Sequence, residues 1–86
     1  MTDVSDTLEE RGETHGDFRD VSRVSQYIKG AMWGMVDCGD LPAYQRESLD
    51  MISTKMARIV CGDENNADHW LDIEGYARLA RNILEG

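Results

Sequence analysis

The 86 residues contain one proline, one phenylalanine and two cysteines. With one Pro and no low-complexity tract, long disorder is not expected beyond the first dozen residues. Cys38 and Cys61 cannot make a disulfide framework. Both sit at apolar helix ends, so free thiols in a reducing compartment are expected. No apolar run approaches the ~20 residues of a membrane span. Strand-like alternation and internal repeats are also missing. Basic residues are scarce, with nine Lys and Arg against seventeen Asp and Glu, a formal charge of −8. Phosphate neutralisation needs clustered cations, so direct nucleic-acid binding and attachment to an anionic membrane are disfavoured. A basic protein partner remains compatible with this charge, including a surface that ordinarily holds nucleic acid, and so does plain solubility. The opening MTDVSDTLEERGETHGD has neither a signal-peptide nor a transit-peptide pattern. A cytoplasmic location is expected.

Reactive constellations are equally sparse. There is no Ser-His-Asp arrangement, phosphate-cradling glycine loop, Cys-x-x-Cys or His-Glu-x-x-His. His15, His69 and an acid are in principle metal ligands, but no paired spacing supports them.

What is present is helical periodicity. The chain reads as all-α, a small bundle of three principal helices in one domain over 17–86, preceded by a polar arm over 1–16. A chain this short buries only roughly 60–65% of its unfolded surface, so it needs good packing or a second copy. The first helix is expected over 18–35, capped by Asp17, with Val21, Val24, Ile28, Met32 and Met35 in one apolar stripe. Gly30 and Gly34 share a face where another backbone has room to approach. The second helix is expected over 41–61, with Asp40 as cap, Pro42 in its first turn and Gly62 as its stop. Leu49, Ile52, Met56, Ile59 and Val60 share a face. GDENNAD is a turn whose Asn65 or Asn66 caps a third helix over 67–84. Its expected core face is Trp70, Ile73, Ala77, Ala80 and Leu84, widened by His69, Tyr76 and Ile83. So broad an arc on so short a helix argues for a homodimer. Trp33 and Tyr44 flank the middle loop, with Trp33 expected to cap the core.

The charged groups admit two readings. Asp68 suits the first turn of a helix, where the dipole favours an acid. Asp72 borders the apolar arc, and a partly buried carboxylate needs a partner. A Lys55–Asp72 or Arg58–Asp68 bridge across an antiparallel helix pair is the first expectation. Alternatively, the two carboxylates hold magnesium while Lys55 and Arg58 hold phosphate oxygens. Glu47 and Asp50 in ESLD, with Asp68 and Asp72, partly resemble the paired acids of helical nucleotide pyrophosphohydrolases.

RGETHGDF, then QRESLDMISTKMARIVCGD, then DHWLDIEGYARLA resemble three motifs of a family of small phage and prophage proteins of unknown function. The motifs run R-G-x-x-H-G-D-F, Met-Ile-x-x-Lys-hydrophobic-x-Arg-Ile, and D-H-W-x-D-I-x-G-Y-A. The resemblance covers most of residues 11–80. It implies an all-helical domain of phage origin in a bacterial host, and it implies no activity. It marks Arg11, His15, Gly16, Asp17, Lys55, Arg58, Asp68, His69, Asp72, Gly75 and Tyr76. On this basis His15 and Asp17 are expected to reach Lys55 and Asp72, forming a ligand pocket or a lock between arm and core. Gly75 leaves room for a segment to approach Tyr76.

Two functions follow as expectations. The favoured one is an accessory protein without catalysis or cofactor, binding a host or phage protein and inhibiting a defence or nucleic-acid-binding surface. The other is nucleotide or phosphate binding at Lys55, Arg58, Asp68 and Asp72, with magnesium-dependent hydrolysis as its extension.

Overall fold

The computed structural model describes residues 16–35, 39, 41–62 and 65–86. Within them the chain is all-α: α1 (Phe18–Gly34), α2 (Ala43–Cys61) and α3 (Ala67–Glu85). The helices form a small bundle-like fold with α2 in the middle. No Cα of α1 comes within 8 Å of one in α3.

Local chemistry sets the helix ends. Asp17 is extended, and its Oδ1 accepts the Arg19 backbone N–H at 2.8 Å, capping α1. Met35 is the residue after that helix rather than its last turn. Pro42 is the N-cap of α2 rather than part of its first turn. Its carbonyl accepts from the Gln45 and Arg46 N–H groups at 3.0 Å. The helix therefore starts two residues later than expected; Asp40 lies outside the described residues. Gly62 ends α2, its N–H donating to the Arg58 carbonyl at 2.8 Å. Asn66 caps α3, accepting the Asp68 N–H at 3.0 Å.

Side-chain contacts show α1 and α2 to be antiparallel, and the short connection over 62–66 folds α3 back along α2. Ser25 lies 3.4 Å from Thr54, Lys29 Nζ donates to Thr54 Oγ1 at 3.0 Å, and Trp33 Nε1 donates to Asp50 Oδ1 at 2.6 Å. Later residues of α1 thus meet earlier residues of α2. Across α2 and α3, Lys55 meets Asp72 at 3.0 Å.

The buried residues are small or polar. Val21 and Ala57 are buried hydrophobics; Ser25, Ser48, Ser53 and His69 are the buried polar groups. Small side chains on α2 let a helix approach on each side. The Ser53 and Thr54 hydroxyls are satisfied locally, donating to the carbonyls of Leu49 and Asp50 at 2.8 and 3.2 Å.

This arrangement corrects three expected faces. On α1, Val21 is buried and Val24, Ile28 and Met32 are half-buried, but Met35 is exposed. On α2, Leu49, Met56 and Val60 are exposed, Val60 at 75%. Neighbours hold opposite sides of that helix, so its apolar stripe falls between them. On α3, Trp70 is 58% exposed, Leu84 is 69% exposed and Ala77 is exposed, whereas His69 is 1% exposed. Among the described residues α3 has one neighbour, and one neighbour covers only part of so wide an arc. The covered part is centred on His69, Ile73, Tyr76 and Ala80. Among the described residues, a Cβ added at Gly30, Gly34 or Gly75 would meet nothing within 4 Å, so no other described segment packs against these glycines.

Candidate functional site

The polar cluster forms only in part. Lys55 Nζ and Asp72 Oδ2 are 3.0 Å apart, with the lysine side chain 12% exposed and the aspartate 43% exposed. The lysine stem runs between α2 and α3, and the carboxylate neutralises its ammonium at the edge of that contact. Half-buried Tyr76 lies one turn beyond Asp72, and His69 lies almost one turn before it.

The other expected members stand apart. Arg58 is half-buried and makes no ion pair with Asp68. Asp68 is exposed in the first turn of α3, the place its charge suits. Asp17 does not reach Lys55 or Asp72; its carboxylate is used by Arg19, through the backbone N–H and a 3.4 Å ion pair. The Arg19 guanidinium and backbone N–H hold the Asp17 carboxyl below the usual aspartate range and raise the guanidinium in turn. His15 and Arg11 lie outside the described residues. Gly16 does reach the second motif. Its φ is +86°, and a Cβ there would collide with the Cys61 carbonyl. Gly16 therefore packs against the C-terminal end of α2, away from Lys55. Cys61 is a half-buried free thiol, and Cys38 is outside the described residues.

The expected acid quartet is divided. Asp50 points toward α1, where it accepts from Trp33, while Asp72 lies across α2 on α3. Among the described residues no three His, Cys, Asp or Glu side chains converge as a metal-ligand set. Trp33 is half-buried, with the Arg46 guanidinium 4.5 Å from its ring centroid. The spacing of ESLD sets Asp50 among candidate metal ligands and gives no sign of its role as acceptor for the indole. Tyr44 is half-buried, its hydroxyl accepting from Gln45 at 3.2 Å.

A larger feature is apolar. At about 100° per residue, Leu49, Met56 and Val60 form one line along α2. Asp50, Ser53 and Thr54 mark the side of α2 toward α1, and Lys55 marks the side toward α3. The Lys55–Asp72 bridge lies on one shoulder of the α2–α3 contact. On the opposite shoulder, α2 presents Leu49, Met56 and Val60, and α3 presents Trp70, Ala77 and Leu84. Likewise the Lys29–Thr54 and Trp33–Asp50 bonds occupy one shoulder of the α1–α2 contact, leaving Val24, Ile28 and Met35 on the other. One apolar face thus crosses all three helices, with exposed Arg81 at its edge on α3, three turns beyond Trp70. The opposite face carries Lys29, Asp50, Lys55 and Asp72.

Val60, Leu84 and Trp70 are 75%, 69% and 58% exposed on the apolar face, and a contiguous run of large exposed apolar side chains marks an interaction surface. The sequence carried a signal for it. Trp70, Ala77 and Leu84 recur at seven-residue steps, the repeat of a helix–helix seam.

No family model, curated protein or solved structure matches the chain. No described helix is long and apolar enough to cross a membrane.

Proposed function

We propose that this chain is a small phage-type accessory protein that acts by binding another polypeptide and performs no catalysis. The observation that carries the reading is the apolar face, on which Trp70 is 58% exposed and Val60 75% exposed. A helical layer needs a second layer to bury such a face. The phage assignment is supported by the three ordered motifs. The net charge of −8 favours a basic surface on a host or phage protein, such as one that holds nucleic acid. Inhibition of such a surface, in defence or otherwise, is the action that charge would serve in a bacterial cytoplasm.

The phosphate reading has less support. Its lysine is already neutralised by Asp72, and Asp68 and Arg58 are not drawn into the pair. A photo-crosslinking residue at Trp70, in the full chain within expressing cells, tests the protein-binding proposal. A discrete adduct with a polypeptide is expected, and the same residue at exposed Arg23 should give none. Crosslinking at Trp70 no stronger than at Arg23 overturns the reading.

A further inference from the structure

The protein-binding reading leaves open what covers the apolar face. We propose a second copy of this chain, with the two α3 helices packed antiparallel about a two-fold axis at Ala77. The inference rests on that reading and adds the occupant, the register and an ion pair.

Two observations lead to a copy of the chain. First, Val60, Leu84 and Trp70 are 75%, 69% and 58% exposed on one face, and a surface of large apolar side chains needs an apolar cover. Two copies placed face to face become two stacked helical layers. Among the described residues the face offers no carboxylate to a basic partner.

Second, the charges at its rim complement their own copies. Glu74 and Arg81 follow Ile73 and Ala80 by one residue, and so flank the seam on the side away from α2. In an antiparallel pair centred on Ala77, Trp70 meets Leu84 of the other copy, while Ile73 and Ala80 stay against α2. Glu74 then falls within one residue of the level of Arg81 of the other copy, within side-chain reach, and the symmetry makes this pairing twice. A parallel pair would instead set Glu74 and Arg81 against Tyr76 and Ile83 positions, with no opposite charge to meet. Within one chain neither charge is tightly held: Glu74 is 4.0 Å from Arg78, and Arg81 is 3.8 Å from Glu85, all of them exposed. Ala77 at the axis lets the two backbones approach.

Sedimentation equilibrium of the purified full chain tests this, with far-UV circular dichroism to verify folding. The expected mass is twice the 9.7 kDa of one chain. Ala77→Arg should give a monomer that retains its helix content. Glu74→Arg should weaken the dimer by about tenfold, because both rim pairs become repulsive. Glu74→Arg combined with Arg81→Glu should restore wild-type association. A monomeric wild type with full helix content overturns the proposal. A dimer that the charge swap fails to restore overturns the antiparallel register. A monomer that still crosslinks through Trp70 to a different polypeptide removes the dimer and leaves the protein-binding reading standing. A monomer without any Trp70 adduct removes both.

Discussion

Lys55 on α2 and Asp72 on α3 meet at 3.0 Å, and the lysine is far the more buried partner, 12% exposed against 43%. That asymmetry predicts unequal mutants. Asp72→Ala leaves a mostly buried ammonium without its counter-charge. It should cost about 2 kcal/mol, below the 3–5 kcal/mol of a fully buried pair because solvent reaches the carboxylate side. Lys55→Met keeps the stem's packing and releases Asp72 to water, so it should cost less than about 1 kcal/mol. Urea unfolding at a fixed protein concentration measures both. Equal losses would show that the pair does not work through lysine burial.

Trp33 donates to Asp50 at 2.6 Å while Arg46 lies over its ring. Trp33→Phe keeps most of the ring contact and removes the donor. It should cost about 1.5–3 kcal/mol, the range for a hydrogen bond to a charged group. Asp50→Asn keeps an acceptor and should cost less. Near-UV circular dichroism of the two variants, beside their urea midpoints, separates a loosened indole from general unfolding.

Gly16 combines a φ of +86° with close approach to the Cys61 carbonyl. Gly16→Ala should therefore destabilise by about 1–3 kcal/mol, whereas Gly30→Ala should stabilise by up to about 1 kcal/mol. Gly30 is helical and exposed, with open space around it. The opposite signs of the two changes are the expected result in thermal unfolding.

Asp17 supplies an acid-dependent helix cap. Its carboxyl is held below the usual aspartate range by Arg19. A carboxyl lowered in the folded state contributes stability above its unfolded pKa, and loses it as pH falls through the folded value. The Asp17 contribution should thus be complete at neutral pH and disappear in strong acid. Asp17→Asn keeps a capping oxygen without the charge. The stability difference between wild type and Asp17→Asn should shrink toward zero as pH falls below the usual aspartate range. A difference that persists unchanged in acid would assign it to geometry alone.

Much of this molecule is local and was readable along the chain. Asp17 and Asn66 cap helices because a short side-chain oxygen can reach an otherwise unpaired N–H, whatever the rest of the fold does. The three helices follow from apolar periodicity, and the Lys55–Asp72 pair from a short turn joining antiparallel helices. Rotation of the helices about their axes was not readable. A wheel shows that Trp70, Ile73 and Ala77 cluster, but it cannot say how many neighbours share that arc. The tertiary structure sets α2 between the other two helices, buries Ser48, Ser53, Ala57 and His69, and leaves Trp70, Val60 and Leu84 facing outward. It also assigns Asp50 to Trp33 and Asp72 to Lys55, dividing acids that looked like one cluster. Helix formation depends on residues a turn apart, so the sequence alone determines it. Which apolar side chains are covered depends on where distant segments pack, and only the tertiary structure decides that.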